Sequence, residues 1–129
     1  MIVVDTSALI AILKNEPPAA DCQAILLNTD VSRISAATLT EARIVCLRQN
    51  RQNDLENLFK AANLDIIDVT PSRAERAAAA YARWGKGFHP AGLNFGDCFS
   101  YALADELDCP LLFIGNDFAR TDIRSALAS

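Results

Sequence analysis

The chain opens on three β-branched residues, Ile2-Val3-Val4, closed by Asp5. A short unbroken run of that kind reads as a strand buried on both faces. Thr6 and Ser7 are helix-capping types, and Ala8, Leu9, Ile10 and Ile12 carry an apolar pattern to about Lys14. Pro17 and Pro18 open a second helix, in which Cys22, Ile25 and Leu26 recur at helical spacing. Val31 to Ser35 predicts a second strand. Thr38 starts the next helix, carrying Ala42, Val45 and Cys46, with Gln52 to Ala62 as its antiparallel neighbour. Asp65 to Val69 predicts a third strand. Pro71 begins an alanine-rich helix that stops at Trp84-Gly85, where glycine is the expected breaker. After a loop with Gly87, Pro90 and Gly92, Asp97 to Leu107 is helical, and Leu111 to Ile114 predicts the fourth strand, ending at Gly115-Asn116-Asp117. Strands alternating with helices imply an α/β fold: a short parallel β-sheet of four to five strands flanked by helices on both faces.

Composition narrows the picture. At 129 residues, with 51% hydrophobic and 22% charged positions, the chain is one domain's worth and far too apolar to remain disordered. Twelve Lys+Arg against sixteen Asp+Glu give a net charge of −4, which excludes wholesale coating of nucleic acid by a basic surface but leaves room for a local basic groove. The apolar stretches Ala8–Leu13 and Pro110–Ile114 fall well short of the roughly 20 residues a membrane span needs. No secretory leader is read at Met1-Ile2-Val3-Val4. Cys22, Cys46, Cys98 and Cys109 form no C-x-x-C pair and lie inside predicted elements, so they read as core thiols. The expectation is a soluble, cytoplasmic chain with no membrane role.

Four acids fall at element junctions. Asp5 ends the first strand, Glu41 sits in the first turn after the second, Asp97 opens the helix behind the glycine-containing loop, and Asp117 follows the fourth strand. In an open parallel sheet, ligands bind beyond the carboxyl ends of the strands. Two like charges about 4 Å apart repel by about 4 kcal/mol at an effective dielectric of 20. Four acids converging there would stay ionised only around a cation, or else take up protons. With a single histidine, His89, and no clustered cysteines, an all-oxygen set favours Mg²⁺ or Mn²⁺, suited to phosphate-ester chemistry. Each acid also has a purely structural role open to it. Thr38-Leu39-Thr40-Glu41 is a capping-box pattern, Asp97 follows Asn94 at cap spacing, Asn116-Asp117 is ordinary turn chemistry, and Asp5 precedes a helix.

Four segments together resemble the PIN-domain ribonucleases, and more closely the VapC toxins of type II toxin–antitoxin modules. They are Ile2-Val-Val-Asp5-Thr6-Ser7-Ala-Leu9, Ser35-Ala-Ala-Thr38-Leu-Thr-Glu41-Ala42, Leu93-Asn94-Phe95-Gly96-Asp97-Cys98-Phe99-Ser-Tyr101-Ala104 with its intervening apolar residues, and Phe113-Ile-Gly115-Asn116-Asp117-Phe118. The third is the most specific, and the resemblance covers almost the whole chain. It implies a single PIN domain over residues 1–129 and a Mg²⁺-dependent endoribonuclease, with Mn²⁺ able to substitute. Asp5 and Asp97 would be the principal ligands, Glu41 and Asp117 would complete the cluster, and Thr6 and Asn116 would support it. Asp122 lies near enough in sequence to share or replace the role of Asp117. The resemblance further implies single-stranded RNA cut by a metal-activated water in line with the leaving 3′ oxygen, so inhibiting translation. It also implies a homodimer and a VapB-like antitoxin whose C-terminal segment fills the cleft.

An acidic protein needs local cations to hold RNA. Arg83, Lys86 and His89 lie in and before the loop leading to Asp97, with Arg43 and Arg120 close in sequence to Glu41 and Asp117. Phe88 is a candidate for stacking on a base. Rival phosphate chemistries fit poorly. A receiver-type domain needs a second acid beside Asp5 and a lysine near the last strand, a haloacid-dehalogenase-like phosphatase needs an acid at position 7, which is Ser7, and no G-x-x-x-x-G-K-[ST] loop occurs. A catalytically silent RNA- or partner-binding module of the same fold is the alternative, and metal-dependent turnover separates the two.

Overall fold

The computed structural model describes residues 1–127. Its elements run β1 (Ile2–Val4), α1 (Thr6–Leu13), α2 (Ala19–Asn28), β2 (Ser32–Ser35), α3 (Ala36–Arg48), α4 (Gln52–Ala62), β3 (Asp65–Ile67), α5 (Pro71–Trp84), α6 (Phe95–Leu107) and β4 (Leu111–Leu112). A 3₁₀ turn over Phe118–Arg120 follows. The four strands form one parallel sheet in the order β3-β2-β1-β4. A parallel bridge between Leu111 and Ser125 lines the outer edge of β4.

Side chains alternate across a pleated strand, and here the alternation splits the core in two. Ile2, Val4, Ile34 and Leu112 face a cluster built from α1 to α4, with Leu9, Leu26, Leu39 and Leu55. Val3, Leu111 and Phe113 face the other side, against Ala77 and Ala80 of α5 and Tyr101, Leu103 and Ala104 of α6. The expected layering, helices on both faces of a parallel sheet, is what forms. Among the described residues no helix is long and apolar enough to cross a membrane. The four cysteines are free and buried.

Several boundaries differ from the sequence reading, each for a local reason. α3 begins at Ala36, because Ser35 both ends β2 and caps the helix by accepting the Ala37 N–H at 3.2 Å. Thr38 is therefore a buried residue inside the first turn, and the Thr38–Glu41 capping box does not form. α6 begins two residues before Asp97, with Asn94 as its cap, and there a capping box does form. β4 stops at Leu112 because its partner β1 ends at Val4, and β3 stops at Ile67 because its partner Ser35 turns into α3. Gly85 ends α5 as expected, but in an extended conformation (φ −72°). What position 85 requires is space, since a Cβ there would overlap the carbonyl and ring of Tyr81.

Candidate active site

Asp5 leaves the carboxyl end of β1 and is buried, 3% exposed. It caps α1: Oδ2 accepts the Ser7 N–H at 3.0 Å and the Ser7 hydroxyl at 2.7 Å. Ser7 Oγ in turn accepts the Ile114 N–H at 3.1 Å, tying this corner to the chain leaving β4. Oδ1 of Asp5 accepts the Ser100 hydroxyl of α6 at 2.6 Å. Asp5 is thus both a cap and a carboxylate delivered to the sheet edge; the two roles coexist.

Glu41, in the second turn of α3, is held by Thr6. The Thr6 hydroxyl lies 2.7 Å from Glu41 Oε1 and 3.2 Å from the Thr38 carbonyl. It has one proton to give, and the nearer, charged oxygen is the stronger acceptor. The Glu41 carboxyl lies against Gly96, where a Cβ would come within 2.8 Å of its Cδ. Gly96 therefore makes the cradle that lets Glu41 approach the first turn of α6.

Asp97 is the third residue of that turn. Its Oδ2 accepts the Asn94 N–H at 3.0 Å while Asn94 Oδ1 accepts the Asp97 N–H at 2.9 Å. Burial foremost, and then the charges of Asp5, Asp117 and Glu41, push the Asp97 carboxyl up to about 6 against the lowering effect of the Asn94 hydrogen bond. Asp5, Glu41 and Asp117 therefore all stand close enough to Asp97 to act on it. Asp117 and Asn116 are exposed just beyond β4, and the Asp117 carbonyl accepts the Arg120 N–H at 3.2 Å. Asp122 is engaged elsewhere: it accepts the Tyr101 hydroxyl at 2.5 Å and pairs with Arg83 at 3.4 Å.

The PIN domain family model matches residues 2–124 of this sequence. Ribonuclease VapC28 of Mycobacterium tuberculosis is 48% identical to it, over 97% of each chain. The chain belongs to the VapC ribonucleases of the PIN-domain family. Two solved structures share the fold. VapC20 of Mycobacterium tuberculosis, described as a sarcin–ricin loop cleaving toxin, superposes with a TM-score of 0.77 at 17% identity, over 95% of this chain and 96% of its own. A toxin–antitoxin complex from Klebsiella pneumoniae gives 0.75 at 19% identity, over 100% of this chain and 99% of its own.

In this VapC chain most of the expected RNA-contacting cations are engaged by other groups of the fold. Arg83 stacks over the Trp84 ring at 4.6 Å as well as pairing with Asp122. His89 packs edge-on against Trp84 and accepts the Ala91 N–H on Nδ1. Arg43 pairs with Glu56, and Arg120 donates to the Pro90 carbonyl. Lys86 differs. Among the described residues it makes no ion pair, and it shares an apolar slot of about 660 Å³ with Asn94 and Phe95 at the start of α6. Phe88 is exposed but leans edge-on against Tyr81.

Among the described residues, no three His, Cys, Asp or Glu side chains are arranged to enclose a metal ion by themselves. The donor set nonetheless suits a hard cation. All four acids supply oxygen, their charges press on Asp97, and Mg²⁺ is ordinarily held by one or two carboxylates with water completing its shell. The sequence reading missed Ser100, Thr38, Ser7 and Gly96. Ser100 lies three residues after Asp97, on the same helix face, and a hydroxyl among the apolar residues of that face was the available signal.

Proposed function

We propose that this VapC ribonuclease is a Mg²⁺-dependent endoribonuclease toxin that cuts single-stranded segments of RNA in the cytoplasm and so inhibits translation. One observation carries the reading: three carboxylates from separate parts of the chain, Asp5, Glu41 and Asp117, press on Asp97 at the carboxyl edge of the sheet. Asp5 and Asp97 are the residues to hold the cation, with Glu41 and Asp117 completing the set, and Mn²⁺ is expected to substitute. When bound, the cation supplies Lewis acidity that lowers the pKa of a water and offsets charge developing on the phosphate. The chain's own groups do the positioning. Ser7 and Ser100 fix Asp5, the Thr6 hydroxyl fixes Glu41 and Asn94 fixes Asp97. Asp117, exposed to solvent, would help orient the attacking water, with Asn116 beside it. Hydrolysis adds that water to phosphorus and releases the 3′ oxygen.

The buried, unpaired thiols agree with a reducing compartment. A VapB-like antitoxin covering the acidic edge with its C-terminal segment, and a homodimer, belong to the same proposal. A solved structure of the same fold, described as a toxin–antitoxin complex, supports the first of these.

The deciding experiment incubates the purified chain with total bacterial RNA in Mg²⁺, in Mn²⁺ and in chelator, beside Asp97→Asn. Discrete fragments that need both metal and Asp97 are expected, from a sample sedimenting at twice 14.0 kDa. Cleavage that survives chelator and mutation alike would sink the reading. So would cation binding with no turnover on any RNA, which would favour the silent module.

A further inference from the structure

Asp5 is the most constrained acid of the site, and its hydrogen bonds can be counted. An ionised carboxylate, the form that binds a cation, offers about four lone-pair positions and no proton. Ser7 takes both positions on Oδ2, through its N–H and its hydroxyl. Ser100 takes one position on Oδ1, at 2.6 Å. A single free position remains, and it is on Oδ1.

Ser100 is itself held. It is fully buried, and its Oγ lies 3.0 Å from Oγ1 of Thr38, also fully buried. The direction of the chain follows from proton counting. Ser100 has one hydrogen and gives it to Asp5, so Thr38 must donate to Ser100. The carbonyl of the same Thr38 stands 3.2 Å from Thr6 Oγ1, whose hydroxyl holds Glu41. The Thr6 proton goes to Glu41, so the hydroxyl chain serves Asp5 alone, running from α3 through α6 to the acid at the end of β1. In a close-packed interior neither hydroxyl can turn to water instead, so the chain has one arrangement.

We propose that Ser100, backed by Thr38, is the positioning residue that leaves Asp5 one aimed oxygen for the divalent cation. The proposal rests on the acidic edge being a cation site. Residues that orient a ligand from behind set its affinity: their loss commonly weakens metal binding ten- to a hundredfold.

Manganese binding by calorimetry on the metal-free full-length chain provides the test, with thermal melting in chelator to confirm the fold. Ser100→Ala should weaken Mn²⁺ binding by about ten- to a hundredfold. It should raise by a similar factor the Mg²⁺ concentration that gives half-maximal RNA cleavage, and leave much of the rate at saturating metal. Ser100→Thr, which keeps the hydroxyl, should bind close to wild type. Ser100→Cys keeps the shape with a weak donor, should fall with the alanine variant, and carries the test if that variant does not fold. Thr38→Val should shift affinity in the same direction by less. Unchanged Mn²⁺ affinity in folded Ser100→Ala or Ser100→Cys, with only the melting temperature lowered, would overturn the proposal and leave the hydroxyls a packing role. Wild type failing to bind Mn²⁺ at all would instead overturn the cation site, and this proposal with it.

Discussion

Asp97 is kept partly protonated by its surroundings near the bottom of the physiological range, and that has a sign for stability. Its carboxyl titrates near 3.8 unperturbed and at about 6 in the fold. Below about pH 4 it is protonated in both states and contributes nothing. Between about 4 and 6 the folded state binds more protons than the unfolded one, so the metal-free protein loses stability as pH rises. About two pH units set an upper bound of about 3 kcal/mol, which solvent screening of this part-exposed carboxyl reduces, and the loss levels off above about pH 6. Asp97→Asn removes the charge and keeps an oxygen for the Asn94 N–H. In chelator at pH 7.5 the variant should melt several degrees above wild type, the gap closing towards pH 4 and shrinking when Mn²⁺ is added to wild type. A variant that melts below wild type at pH 7.5 would show that burial and the neighbouring acids do not penalise the Asp97 charge. The residue most needed for cleavage is thus expected to be one the fold would do better without.

At the scale of elements, α6 carries two kinds of information at its first turn. Asn94 and Asp97 start the helix, and Gly96 between them exists for Glu41 rather than for the helix. Ala favours a helix interior over Gly by about 1 kcal/mol. The atoms a new Cβ would meet are the mobile end of Glu41, which can swing aside. Gly96→Ala should therefore leave the melting temperature unchanged or higher while lowering cleavage about tenfold or more; a variant cleaving at the wild-type rate would remove Glu41's position from the mechanism. The same turn shows what a sequence can and cannot reveal. α5 was legible to the residue, because Pro71 and Gly85 are local signals. The start of α3 was not, since Thr38-x-x-Glu41 imitates a capping box while Ser35 does the capping. Strand ends depend on where a distant partner stops, as β4 depends on β1, and no local pattern records that. The four acids stood out by their junction positions. Their holders did not, because the Ser100–Asp5 and Thr38–Ser100 contacts bridge 95 and 62 positions of chain.

For the whole molecule, the −4 net charge leaves RNA binding to a few local cations. Arg83 and His89 are engaged within the fold, whereas Lys86 stands unpaired among the described residues, beside the turn that carries Asp97. Each phosphate contact on a single strand contributes about 0.7 to the slope of log affinity against log salt. Lys86→Ala should reduce that slope by about this amount, measured by anisotropy in the Asp97→Asn background, which is expected not to cleave, and Arg83→Ala should leave it nearly unchanged. A slope unmoved by Lys86→Ala would place the RNA on another face. The sheet order adds a consequence for how the molecule is made. β1, the first strand synthesised, lies between β2 and β4, and β4 is the last. The acids are drawn from positions 5, 41, 97 and 117, so the site has no precursor in any shorter product of translation. A chain cut short before β4 lacks both Asp117 and the strand whose Leu112 carbonyl holds the Asp5 N–H, so it is expected to be silent as a nuclease.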